Sequence, residues 1–212
     1  ECDLTAAPVF DVPFNEKFDQ ISQEFRFSSP GGETVDWLAG IYLQKNELEF
    51  RDGIRGPSDS LLRLLAGGAL VPLLGTSATR DFETESSSWA IFSQATWNIS
   101  PDWRFTVGGR FTREDKDGSR VINVTEADLG SISTSPVAPI LYTAVFAIDN
   151  EQFTGHNLTG SRTESIFTPV VNLQWDVSPN TSVYASYTEG FKAGGFDTRA
   201  NVVSSFEFEE EE

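Results

Sequence analysis

Hydrophobic and polar residues alternate along several stretches of this chain. In residues 103–112, every odd position except one glycine carries an apolar side chain, whereas the even positions carry arginine, threonine or glycine. Successive side chains of a β-strand point to opposite sides, so this stretch predicts a strand with one apolar and one polar face. Residues 171–177 alternate in the same way, and so do residues 89–99, apart from Phe92 and Ser93.

Six stretches predict strands, and they pair into three hairpins. The predicted strands are residues 20–28, 35–50, 88–99, 103–115, 166–177 and 182–191. Short turns at residues 28–34, 100–102 and 178–182 close the hairpins, and long loops at about residues 51–87 and 116–165 connect them. Loops longer than about 12–15 residues are uncommon in compact domains. The sequence therefore predicts an all-β fold, an antiparallel up-and-down meander of about six long strands.

A half-buried sheet in a soluble sandwich would alternate too, but two further features favour a membrane barrel. The strands at residues 35–50 and 103–115 exceed the five or six residues that are usual in soluble proteins, and they reach the roughly 9–11 that a tilted strand needs to cross a membrane. Trp97, Trp103 and Trp175 lie near the short turns, where an interfacial aromatic girdle is expected. Together with the short-turn, long-loop asymmetry, these features predict part of a transmembrane β-barrel.

The acidic composition of the chain limits the kinds of molecule that it is expected to bind. The 212 residues include 32 acidic and 15 basic side chains, a net charge of −17, which argues against binding to nucleic acid phosphates. Five of the acids lie close together at the C-terminus, and we interpret them as a solvated tail or a cut end: Glu207, Glu209, Glu210, Glu211 and Glu212.

Cys2 is the only cysteine, so no intrachain disulfide is possible. Because Met is absent and no signal segment precedes Cys2, we expect an internal fragment of a longer protein.

The most apolar run covers residues 61–74. It is interrupted by Arg63 and Pro72, and it is too short to span a membrane as a helix. Ser58 or Asp59 is suited to cap a short helix over residues 60–66. We interpret the run as a small helix inside the first long loop, and a loop that closes over a ligand is the alternative.

Residues with catalytic or metal-binding chemistry are few. His156 is the only histidine and is predicted to lie in a loop, so a site built on several histidines is excluded. Glu83 and Glu85 are paired acids, but nothing in the sequence marks a cleft around them. Residues 114–118 weakly resemble a calcium loop, yet Arg113 and Val124 would occupy its first and twelfth ligand positions, so a charged strand end is the better interpretation.

Two arginines are candidates for ligand contact. Arg104 and Arg110 lie on the polar face of the strand at residues 103–115. They either help to hold an anionic ligand or form ion pairs with acids of neighbouring strands. We predict a protein that is not an enzyme and assign it no catalytic, cofactor-binding or metal-binding residue, no cofactor and no specific ligand-binding residue.

Four segments resemble barrel segments of the TonB-dependent outer-membrane receptors. They are residues 18–30, 36–42, 103–115 and 184–197, in the same order as in such barrels. The resemblance implies a location in the bacterial outer membrane, in contact with its lipid, and uptake of iron–siderophore or similar nutrient chelates with TonB-supplied energy. It also implies a barrel of about 22 strands with a plugged lumen.

The chain departs from that family pattern because no plug and no energy-coupling box are recognisable in it. We therefore expect residues 1–212 to be a partial barrel domain, and we expect the TonB complex to act through a missing N-terminal region. Two alternatives stay open. One is a passive outer-membrane porin, and the other is a soluble or secreted β-sheet binding module.

Overall fold

Six antiparallel strands form one sheet in a computed structural model, which describes residues 12–55, 61, 64, 68, 76–126, 155–200 and 203–210. Each strand pairs with its neighbours in the sequence, so the sheet is an up-and-down meander, as predicted. The strands are β1 Phe14–Ser28, β2 Val35–Arg55, β3 Thr76–Asn98, β4 Trp103–Glu126, β5 Gly155–Ser178 and β6 Thr181–Thr188. A small second sheet follows, made of β7 Gly195–Phe196 and β8 Glu207–Phe208.

Strands β1 to β5 are longer than the alternating pattern predicted, whereas β6 ends at Thr188 rather than at residue 191. Strands β2 to β5 have 21 to 24 residues each, and β1 begins at Phe14 rather than at residue 20. The predicted loop limits at residues 51–87 and 116–165 were therefore wrong, because residues 51–55, 76–87, 116–126 and 155–165 lie in strands. Their polar residues occupy both faces, so these extensions carry no hydrophobic alternation. Backbone pairing continues without it, because the ladder hydrogen bonds do not depend on side-chain polarity.

Two further predictions concern the long connections. His156 lies in β5, in register with Ile122 of β4, and not in a loop. The helix predicted for residues 60–66 falls almost entirely outside the described residues, as do Cys2 and the rest of both long connections. In the described part of the chain, no helix has the length and apolar character needed to cross a membrane.

Strand register places the apolar residues in rows on one face of the sheet, which we call the outer face. One row runs through Phe25, Ile41, Ile91, Phe111 and Phe167 across five strands. The parallel rows below it end at Trp103 and Trp175, whose rings stack with centroids 5.2 Å apart. Phe25, Ile41, Ile91 and Phe167 are each 45 to 59% exposed, so they are not packed against a second layer of the described chain.

This apolar band has the dimensions of a membrane-facing surface. On β4 it runs over residues 103–111, and a tilted strand needs roughly 9–11 residues to cross the apolar layer of a membrane. Above the band, the same face becomes acidic within a few residues. Asp19, Glu47, Glu85 and Asp117 stand directly opposite one another in one row across β1 to β4. The strands therefore continue beyond the band into a polar environment.

The short turns all lie at the end of the sheet next to the tryptophans. Residues 29–34, 99–102 and 179–180 form them, as predicted. Gly31 and Gly32 adopt φ angles of +88° and +78°, which residues with a Cβ rarely reach. Short turns at one end and long connections at the other are typical of outer-membrane β-barrels.

Candidate ligand-facing surface

The second face of the sheet, which we call the inner face, carries the polar partners of the apolar band. Arg104 lies at its lower end, where its guanidinium forms an ion pair with Asp176 of β5. The amide of Gln174 also donates a hydrogen bond to Asp176, over 3.1 Å. Of the two roles considered for Arg104, the structure shows the ion pair with a neighbouring strand.

Arg110 has different surroundings. Its guanidinium carbon lies 5.1 Å from the ring centroid of Tyr42 and 5.8 Å from that of Phe92. Nε donates a hydrogen bond to Thr112 Oγ1 over 3.0 Å, which uses one of five N–H donors. No ion pair joins Arg110 to another residue of the described ranges. We call Tyr42, Phe92 and Arg110 the aromatic–arginine patch.

The patch is assembled from three adjacent strands, so sequence reasoning found only one of its members. Tyr42 and Phe92 lie on the inner faces of β2 and β3, and Phe92 was noted in the sequence only as an exception to the alternation. The ring of Phe92 lies over Gly40 of β2, where a Cβ would come closer than 3.0 Å to it. The signal available in the sequence was Phe92, an aromatic residue on a polar face. The strand register shows its role, because it places Phe92 directly opposite Arg110.

Higher on the inner face, the end of the chain folds back onto the sheet. We call residues 192–200 and 203–210 the luminal strap. A buried cluster joins it to the sheet and consists of Phe82 and Leu158 from the strands with Phe196, Ala200 and Phe206 from the strap. The rings of Phe196 and Phe206 stack with centroids 5.1 Å apart.

Phe196 is seated in a slot made by two glycines. Gly118 of β4 and Gly160 of β5 are directly paired, and a Cβ on either one would lie closer than 3.0 Å to the Phe196 ring. Phe196 is 7% exposed. The two glycines are therefore required for the close approach of the ring to the sheet.

Carboxylates from the strap surround Arg162 of β5. Its Nη1 donates to Glu207 over 2.7 Å, and its Nη2 donates to Glu209 over 2.9 Å and to Glu210 over 3.1 Å. Glu164 of β5 accepts from Nε over 2.9 Å. The Arg162 side chain is only 9% exposed. The hydrogen bond from Arg162 lowers the pKa of Glu209 below its usual value.

Backbone contacts add to this attachment. Lys116 Nζ donates to the carbonyl oxygen of Gly194 over 2.7 Å, and the N–H of Gly194 donates to Glu164 Oε1 over 3.1 Å. Beneath the strap, Arg120 is fully buried, and this burial, together with the charge of Arg80, lowers its pKa to about 10, although Asp52 and Asp197 act in the opposite direction. Glu207, Glu209 and Glu210 therefore share Arg162 as an ion-pair partner, which the sequence did not predict, but their side chains are 46 to 84% exposed and remain solvated as predicted. Glu211 and Glu212 lie outside the described residues.

The remaining sequence candidates do not converge. Glu83 and Glu85 lie on the outer face above the apolar band, opposite Glu49 and Glu47, and so are remote from the patch. Residues 114–118 are part of β4, so their side chains alternate between the two faces. Among the residues that the structure describes, no group of three or more His, Cys, Asp or Glu side chains is placed to hold a metal ion.

The fold is similar to that of a solved iron-uptake receptor. The chain superimposes on the ferric yersiniabactin uptake receptor FyuA from Yersinia pestis with a TM-score of 0.62 and 16% sequence identity. The match covers 91% of this chain and 24% of that receptor. The chain therefore spans about a quarter of the length of the receptor, and the likeness establishes the fold.

A match to a protein-family model shows which family the chain belongs to. The model described as the β-barrel of TonB-dependent receptor-like proteins matches residues 9–206, nearly the whole chain. The outer face agrees with this match, since it carries a continuous apolar band that ends in tryptophans. The chain belongs to the TonB-dependent receptor family and forms part of its β-barrel.

Proposed function

We propose that these six strands are part of the barrel wall of an outer-membrane receptor that takes up iron–siderophore or similar anionic chelates. The apolar band faces lipid, and the inner face lines the lumen. TonB would supply the energy through a region N-terminal to the barrel wall rather than through these strands. The name of the similar solved receptor, which describes uptake of a ferric siderophore, supports this class of substrate.

The observation that carries the ligand class is the aromatic–arginine patch. Arg104 is neutralised by Asp176, whereas Arg110 lies against two rings with no carboxylate in contact among the described residues. A guanidinium held on aromatic faces keeps its positive charge and several N–H donors for a ligand. Tyr42 and Phe92 add apolar area beside that charge. An anionic, partly aromatic metal chelate fits this combination.

The test compares two arginines of the same face in the full-length receptor. We expect Arg110→Gln to weaken uptake of radioactive iron chelates by about tenfold, since a charged hydrogen bond contributes roughly 1.5–3 kcal/mol. Arg104→Gln is the control, because it removes an arginine that is already paired. A panel of ferric hydroxamate, catecholate and carboxylate chelates identifies the substrate class.

Equal uptake by the two variants would contradict the role of Arg110. The membrane location is tested separately with spin labels at Val107 and Thr106, neighbours that point to opposite faces. We expect the label at Val107 to be accessible to oxygen dissolved in lipid and the label at Thr106 to be accessible to a water-soluble nickel complex. The opposite result, or a soluble monomer without detergent, would favour the secreted binding module.

A further inference from the structure

The chain leaves the barrel wall halfway up. Strand β6 pairs with β5 only as far as Thr188 opposite Val170, although β5 continues upwards to Gly155. The last contact is the Glu189 N–H with the carbonyl oxygen of Pro169. Because the N–H and C=O of a strand residue point to the same side, Pro169 lacks a donor on the edge where β6 would have to continue. The chain then turns onto the inner face and becomes the luminal strap.

Packing and charge attach the strap at separate points. Phe196 occupies the slot formed by Gly118 and Gly160, and Ala200 is 3% exposed in the same cluster. Two residues along β5 from Gly160, Arg162 binds three glutamates of the strap. The Phe196 ring in its slot fixes the position of the strap, and the charge-assisted hydrogen bonds from Arg162 fix the orientation of the strap.

The strap lies above the aromatic–arginine patch. Gly118 and Arg110 are on the same face of β4, eight residues apart, which corresponds to about 26 Å along the strand. The patch is nearer the short turns, and the strap is nearer the long connections. A ligand that enters from the side of the long connections meets the strap first.

We propose that the luminal strap is an inward-folded constriction of the barrel, anchored by Phe196 and latched by Arg162, through which a ligand must pass before it reaches Arg110. This inference rests on the proposed function, because it requires the inner face to line the lumen. The described residues of the strap then determine which ligands enter, by the width of the opening that they leave in the barrel. Breaking the latch widens the entrance.

The test measures how accessible Ala200 is in the full-length receptor, in outer membranes. Cys2 is first replaced by serine, and Ala200→Cys then provides a single buried thiol in the described chain. A charged maleimide modifies this thiol only when the strap leaves the wall. We expect Arg162→Gln to raise the modification rate by about tenfold or more, since exposure then follows local opening.

Arg104→Gln is the matched control, because it breaks an ion pair of the same face that does not touch the strap. We expect it to leave the rate unchanged. If Arg162→Gln does not assemble, Gly160→Ala provides the second route to release, through the slot instead of the charge, with Gly190→Ala as its control. Fast modification without any strap mutation, or the same slow rate in both release variants, would overturn the proposal.

The two proposals fail in different ways. A lipid-exposed label at Val107 together with a rapidly modified thiol at Ala200→Cys would leave the barrel intact and refute the strap. A water-exposed label at Val107 would refute the barrel location itself. A slow thiol with a tenfold acceleration in Arg162→Gln, and a lipid-exposed Val107, is the result that supports both.

Discussion

Gly118 and Gly160 face each other across β4 and β5, and the ring of Phe196 fills the space that a side chain on either glycine would need. Neither glycine makes a turn. Both lie within long strands, where glycine ordinarily weakens a strand. The strap that packs on these glycines explains their position. The pair therefore forms a contact between the barrel wall and a segment that lies on its inner face.

Replacement of Gly160 by alanine should destabilise the strap. The added methyl group overlaps the Phe196 ring, and overpacking of this kind costs about 1–3 kcal/mol. Urea unfolding of the receptor in detergent, followed by tryptophan fluorescence, measures the change. Gly190→Ala is the control, because a Cβ at Gly190 meets nothing within 4 Å, and its free energy of unfolding should stay within about 0.5 kcal/mol of the starting protein.

A double-mutant cycle should show that the effect passes through Phe196. Phe196→Ala removes a nearly buried ring and should cost about 3–5 kcal/mol. Once the ring is gone, Gly160→Ala has nothing to collide with, so its additional cost should fall close to zero. The same unfolding assay gives the coupling energy. Additive effects of the two substitutions would contradict direct contact between the ring and the glycine slot.

Acid should loosen the strap. The hydrogen bond from Arg162 lowers the pKa of Glu209 below the ordinary 4.5, so ionised Glu209 favours the closed strap at higher pH. This contribution is fully present above pH 4.5 and is lost as the pH falls through the lowered value. Mobility of a spin label at Ser204, recorded by electron spin resonance between pH 6 and pH 3, reports the loss.

The control for the acid effect is Glu209→Gln, because Arg162 also faces Glu164, Glu207 and Glu210, and Lys116 lies beside them. The variant has no ionisable group at position 209, so it should lose the part of the transition that Glu209 contributes. An unchanged curve would show that Glu209 does not contribute to the latch.

The limits of the apolar band should be measurable by charge insertion. Val107 lies in the middle of the band and is 48% exposed, so Val107→Arg should destabilise the folded barrel by about 2–4 kcal/mol in lipid. Ser87 lies on the same face, above the band and opposite Lys45 and Asp115. Ser87→Arg should change stability by less than about 1 kcal/mol. Equal costs in urea refolding into phospholipid bilayers would place the membrane boundary elsewhere.

Alternation along the chain was sufficient to predict the meander, the three hairpins and the short turns, whereas the likeness to the receptor barrels came from four segments that resemble that family. It worked because lipid and water on opposite faces of one strand impose a period of two on the side chains. It stopped working above Phe111 on β4 and above Trp89 on β3, where both faces carry polar residues. The strands continue there through backbone hydrogen bonds that leave no mark in the hydrophobic pattern.

The sequence by itself determined the apolar band, the polarity of the inner face and the membership of Arg104 and Arg110 in that face. Only the tertiary structure decided that Arg104 has a carboxylate partner whereas Arg110 rests on Tyr42 and Phe92, because those partners lie on other strands and depend on register. The tertiary structure also decided that Glu207, Glu209 and Glu210 form ion pairs with Arg162. The local sequence does not distinguish glutamates without a partner from glutamates that pair with Arg162, because Arg162 is distant along the chain. The packing of Phe196 on Gly118 and Gly160 accompanies the approach of these glutamates to Arg162.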